Sequence, residues 1–164
     1  MSFEDQKHVL EFSPFLKQLV SRHEDWLEEL RQSGRLDKTS TPDAEALETA
    51  IKTEGLDTAL RRFRNREMMR LIWRDLNQLA PVDEILADLS TLAEVCLQAS
   101  VSFHSRSFEE KYGTPRNANG DAQELVVIGL GKLGGRELNL SSDIDIMFCY
   151  PERGHCDEIG RAHV

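Results

Sequence analysis

The sequence predicts an α+β fold, with a helical bundle over residues 1–111 and the start of an α/β domain over residues 112–157. Three observations carry this. Apolar residues recur at helical spacing through the first part of the chain. A stretch rich in turn formers, Tyr112 to Gln123 (YGTPRNANGDAQ), then interrupts the pattern. Finally, two apolar runs with β-branched residues, ELVVIGL and DIDIMFCY, flank a Gly-rich segment.

The elements follow in order. Ser13-Pro14 supplies an N-cap and a first-turn proline, with Phe15, Leu16, Leu19 and Val20 behind it at helical spacing. Ser21 and Glu24 read as a capping box ahead of Trp26, Leu27 and Leu30, and Gly34 is a natural stop. Thr41-Pro42 opens the next helix, whose inner face is Ala46, Leu47, Ala50 and Ile51, and Gly55 closes it. The longest helical candidate runs from Leu56 to Ala80. Pro81 separates it from a helix continuing to about Phe108. Short connections of this kind suit antiparallel helices in a bundle. ELVVIGL reads as a buried strand, and DIDIMFCY as a second strand closed by Pro151.

Hydrophobic residues make up 40% and charged residues 30%, a balance that allows a packed core. The net charge of −9 disfavours general nucleic-acid binding, which needs a basic face. No apolar run approaches the ~20 residues that span a bilayer, so no membrane partner is expected. The three cysteines have no CxxC spacing, and a reduced, cytoplasmic setting is the simplest expectation. Glu158 to Val164 (EIGRAHV) matches the translation of a common sequencing-adapter oligonucleotide and is expected to be a non-native tail over 158–164.

The chemistry concentrates between Gly129 and Tyr150, GLGKLGGRELNLSSDIDIMFCY. Gly129, Gly131 and Gly134 are spaced as in a dinucleotide-binding turn, which makes a Rossmann-like domain one alternative. That reading wants an acid at the end of the next strand, whereas Asp143 and Asp145 stand at its beginning. The metal reading fits better. On a strand, Asp143 and Asp145 would project to one face while Ile144 and Ile146 face the core. Paired carboxylates of this kind suit Mg²⁺, which shares its coordination with substrate phosphates. The upstream glycines let backbone N–H groups approach a phosphate, and Lys132 adds a positive charge.

Gly131-Lys132 followed by Ser142-Asp143-Ile144-Asp145 resembles the nucleotidyltransferase superfamily, with Lys132 where that superfamily usually has serine. The fuller set, GKLGGRELN and SSDIDIMF with HEDWLEEL, LRRFRNREMMRLIWRDL and YGTPRNANGDAQELVVIGLGKLGG upstream, is similar to one family in particular, the glutamine synthetase adenylyltransferases. The match covers the chain to about Gly154. ELNLSSDID in place of the C-terminal half's ELGYGSDLD makes it resemble the N-terminal, AMP-removing half.

The resemblance implies a nucleotidyltransferase-type domain after the helical region. It implies Asp143 and Asp145 as catalytic metal ligands, and Gly131, Lys132, Gly134, Gly135 and Ser142 as the nucleotide- and phosphate-binding set. It further implies Mg²⁺ with ATP, ADP and phosphate, glutamine synthetase as protein substrate, and PII signalling protein as regulator. A third carboxylate is expected on a later strand. A catalytically inactive regulatory or interaction fragment is the remaining alternative. Arg61, Arg62, Arg64, Arg66, Arg70 and Arg74 read as a solvated helix face, with a docking surface as the alternative. Trp26 and Trp73 are expected in the core.

Overall fold

A computed structural model describes residues 2–156. The expected non-native tail at 158–164 therefore lies outside the described residues.

The helical part begins earlier than periodicity suggests. Ser2 caps α1 (Phe3–Gln6) through a reciprocal capping box with Asp5, and a 3₁₀ turn (Lys7–Glu11) follows. α2 (Pro14–Arg22) starts as its sequence indicates, with the Ser13 hydroxyl accepting the Leu16 N–H at 3.1 Å. α3 (Glu24–Gln32) does not use the Ser21–Glu24 box. Its N-cap is His23, which stacks on Trp26 with ring centroids 3.7 Å apart. α4 (Ala44–Glu54) is capped by Asp43, just past Thr41-Pro42, and stops at Gly55. α5 (Leu56–Leu76) ends where Gln78 turns at φ 56°. α6 (Val82–Tyr112) outruns its expected end at Phe108 and stops at Gly113, φ 79°.

α2, α3, α5 and α6 enclose the core. Leu16, Leu30, Met69, Leu71 and Trp73 are fully enclosed there, and Phe3 stacks on Trp73 at 5.3 Å. Trp26 is buried as expected. The arginine run divides. Arg61, Arg62 and Arg64 are exposed, but Arg70 and Arg74 are buried, so the solvated-face expectation fails for them. From Glu67 through Arg74 every residue of α5 is buried, because neighbours surround that stretch on all sides.

Ion pairs make this burial tolerable. Arg70 donates to Glu67 at 2.8 Å and to Asp88 of α6 at 3.0 Å. Arg35 reaches Glu67 at 2.9 Å. Arg74 donates to the Leu36 and Leu79 carbonyls and pairs with Glu84 at 2.6 Å. By length and composition α6 could cross a membrane. Its first half carries Ile85, Leu89 and Leu92 into the bundle, with Asp88 paired inside it.

Among the described residues four short strands form two antiparallel ribbons, which with the helices is compatible with an α+β chain. β2 (Val126–Gly129) pairs with β3 (Ile146–Cys149), and β1 (Pro115–Asn117) pairs with β4 (Gly154–Cys156). The second ribbon falls partly in the stretch read as turns throughout. A helical turn, α7 (Gly131–Gly134), follows β2. Three expectations need correction. The run ELVVIGL is not buried, since Leu125, Val126, Ile128 and Leu130 are exposed. The second strand starts at Ile146, so Asp143 and Asp145 precede it. Ile144 is exposed as well, while Ile146 does pack against the core.

Candidate functional site

The site is built where β2 turns into α7. Gly131 takes φ +52°, which L side chains rarely adopt, so the chain can leave the strand and wind at once into a helical turn. Gly134 is required for a different reason: a Cβ there would stand 2.6 Å from the Gly129 carbonyl oxygen. The Gly134 and Gly135 N–H groups donate to the Leu130 and Gly131 carbonyls at 3.1 and 3.0 Å. The amides heading the turn, those of Gly131, Lys132 and Leu133, have no preceding turn to donate into. Gly131 and Lys132 are exposed and Leu133 is buried, so the first two amides are the donors an anion could approach, with the exposed Lys132 side chain on the same turn.

The ribbon brings Asp145 to this turn. Gly129 lies opposite Ile146, and the Leu130 N–H extends the ladder by donating to the Asp145 carbonyl at 2.9 Å. The Asp145 carboxylate oxygen Oδ2 is 4.0 Å from where a Cβ on Gly131 would stand, so the carboxylate lies beside the turn. Asp143 is exposed in the segment leading to β3, directly after Ser142. The Ser142 hydroxyl is engaged locally: it donates to Asn139 Oδ1 at 2.8 Å and accepts the Asn139 N–H at 3.2 Å.

Among the described residues no group of three or more His, Cys, Asp or Glu side chains could hold a metal ion. Because both aspartates precede the strand, its alternation does not set their side chains on one face, and the two carboxylates alone fall short of a full ligand set. Their chemistry, exposed carboxylate oxygens beside backbone donors, fits a hard divalent cation that would take its remaining ligands from phosphate and water. The dinucleotide alternative fails on topology. That fold needs parallel strands joined by a crossover helix, whereas β2 and β3 are antiparallel and α7 is a single turn.

Residues that sequence reasoning missed secure the segment between the glycines and the aspartates. Arg136, at φ 56°, donates to both carboxylate oxygens of Glu94 on α6, at 2.6 and 2.7 Å, and to the Thr91 hydroxyl at 2.8 Å. The Leu138 N–H donates to the Ser90 hydroxyl at 3.3 Å, and Leu133 and Leu138 are buried in the bundle core. Asn139 carried a signal, since an Asn ahead of Ser-Ser favours a side-chain-closed turn. Arg136 carried none, because its partners are distant in sequence. An open groove of about 950 Å³ runs between the second half of α6 and β2, with Gly129, Gly134 and Arg136 among the residues bordering it.

The family model for glutamate-ammonia ligase adenylyltransferase matches residues 3–163. Three relatives are each a bifunctional glutamine synthetase adenylyltransferase/adenylyl-removing enzyme. The one from Shewanella frigidimarina is 40% identical over 89% of this chain, and the one from Thioalkalivibrio sulfidiphilus is 42% identical over 88%. The one from Pseudomonas aeruginosa is 39% identical over 97%. The matched region is only 16 to 17% of each relative's length. With a family model matched along nearly its whole length, this chain belongs to the glutamate-ammonia ligase adenylyltransferase family.

Proposed function

We propose that this chain is part of the AMP-removing half of a glutamine synthetase adenylyltransferase, with Gly131–Gly135 and Asp143–Asp145 at its nucleotidyl-transfer site. The observation that carries the reading is the corner in which the Asp145 carboxylate lies beside the Gly131 turn. An anion held by the amides at the head of that turn would be within reach of a cation held by Asp145 and Asp143. The relatives' names, which join adenylyl transfer and removal on glutamine synthetase, support the choice of protein substrate. PII protein as regulator and a nucleotidyltransferase-type domain belong to the same reading.

The chemistry would be phosphorolysis. An oxygen of inorganic phosphate attacks the AMP phosphorus in line, the bond from that phosphorus to the tyrosine oxygen breaks, and ADP and tyrosine result. A Mg²⁺ ion, when bound, supplies charge screening between the two anions and stabilises the in-line transition state. The chain's own residues would do the positioning. Asp143 and Asp145 would hold the cation, Lys132 and the turn amides would orient the phosphate, and Asn139 would fix Ser142 so that Asp143 is presented. No side-chain base is needed to activate water, because the nucleophile is already an anion.

Titration of Mn²⁺·ADP into the chain tests this. Binding should need the metal and should fall by at least about tenfold in Asp143→Asn and in Asp145→Asn, with the thermal midpoint unchanged. Metal-independent binding that both substitutions leave intact would refute it. A chain that binds glutamine synthetase but no nucleotide would shift the reading to an interaction role.

A further inference from the structure

We propose that Arg136, latched to α6 by Glu94 and Thr91, is a positioning residue that holds the glycine turn against the segment carrying Asp143 and Asp145. The proposal rests on the reading of that corner as the nucleotidyl-transfer site.

Only two non-glycine residues among those described have positive φ, and Arg136 is one of them. A left-handed arginine is sterically disfavoured and persists only where its surroundings hold it. Here both ends are held. The Arg136 N–H donates to the Leu133 carbonyl at 3.0 Å. One guanidinium nitrogen, Nη1, donates to both Glu94 carboxylate oxygens while the other, Nη2, reaches the Thr91 hydroxyl, a span over two partners that a single ammonium does not offer. Ser90, Thr91 and Glu94 present one face of α6, and that face receives Arg136 together with the Leu138 N–H.

The latch therefore sits between the two halves of the candidate site. Directly before it are Gly134 and Gly135, whose amides close the turn. After it comes Leu138, anchored in the core, and then Asn139, which fixes Ser142. The latching side chains are half-exposed. An ion pair in that setting adds little to global stability, so its removal should disturb the site far more than the fold. This separates a positioning role from a merely structural one.

The test compares Glu94→Gln, Arg136→Gly and Arg136→Lys with the unsubstituted chain. Hydrogen exchange at the Gly134, Gly135 and Leu138 amides should quicken by about tenfold or more in Glu94→Gln and Arg136→Gly, with exchange in α5 and the thermal midpoint unchanged. Mn²⁺·ADP affinity should fall by about tenfold in the same two variants, since misplacement of positioning groups is felt at the site. Arg136→Lys, which keeps the charge on Glu94 but has no second nitrogen for Thr91, should be intermediate in both. Unchanged exchange at residues 131–145 would overturn the proposal, as would acceleration spread equally through α5. An unsubstituted chain that binds no Mn²⁺·ADP would overturn the functional reading instead, and hydrogen exchange would still decide whether the latch orders the loop.

Discussion

Replacing Arg70 with methionine would separate the worth of the buried charge network from that of the packing around it. Arg70 is fully enclosed, with Nε on Glu67 at 2.8 Å and a terminal nitrogen on Asp88 at 3.0 Å. Its removal treats the two acids differently. Glu67 keeps Arg35, at 2.9 Å. Asp88, 5% exposed, makes its ion pair with Arg70 and would be stranded in the core. Removing one member of a buried pair costs about 3–5 kcal/mol. At about 2–4 °C per kcal/mol for a chain of this size, the midpoint should drop by about 6–20 °C. In Arg70→Met/Asp88→Leu the stranded charge is gone, and the loss should shrink to about 2 kcal/mol or less. Urea unfolding of wild type, both single variants and the double closes the cycle, with an expected coupling of about 2–3 kcal/mol. A loss under about 1 kcal/mol for Arg70→Met, or a double variant as unstable as the sum of the singles, would refute the reasoning.

Four further outcomes are expected. Gly134→Ala forces a methyl group against the Gly129 carbonyl oxygen, at 2.6 Å, and should destabilise the chain by about 1–3 kcal/mol in a thermal melt. Gly135→Ala, where the nearest atom is 3.6 Å away, should cost less than about 1 kcal/mol. Burial pushes the Cys96 thiol up from 9.0 to about 11. Its alkylation by iodoacetamide at pH 8 should therefore run about a hundredfold slower than that of an unperturbed cysteine and keep rising past pH 10, whereas a plateau near pH 9 would contradict this. For Glu28, the Arg31 guanidinium and then the Gln32 amide hold the carboxyl down at about 2. The stabilisation this gives α3 is present above the ordinary carboxylate range and is lost progressively as pH falls from there through about 2, and an NMR titration of Glu28 should find its midpoint well below the ordinary value.

The helices were legible because their signals are local. Ser13-Pro14, Gly34, Gly55 and Pro81 act within a turn of where they stand, and a one-sided apolar stripe reports an amphipathic helix. The method fails where α5 has no outer side. Between Glu67 and Arg74 the helix is enclosed all round, so periodicity assigns Arg70 and Arg74 to a surface that does not exist. Their burial depends on Asp88, Glu84 and the Leu36 carbonyl, which no local pattern reveals. The second part fails for the opposite reason. Apolar, β-branched runs announce strands, and β2 and β3 are strands, but burial is a property of neighbours. Val126, Ile128, Met147 and Phe148 remain exposed here. At the candidate site the glycines and aspartates announced themselves by type and spacing, whereas Arg136 is held by side chains far up the chain.

That contrast explains why α6 matters to the site. A two-stranded ribbon is marginal on its own, and much of the apolar surface of β2 and β3 is unpacked, so the ribbon cannot by itself fix the turn and the aspartate segment. The rigidity has to be imported. α6 supplies it, because Ile85, Asp88 and Leu89 lock its first turns into the bundle while Ser90, Thr91 and Glu94 hold the connecting segment immediately beyond. Core ion pair and latch are thus consecutive on one helix. A perturbation that strands Asp88 should therefore be felt at Gly134 and Gly135 as well, whereas loss of the latch should leave the Arg70–Asp88 pair intact. That asymmetry is what distinguishes a scaffold that positions a site from a site that merely rests against a scaffold.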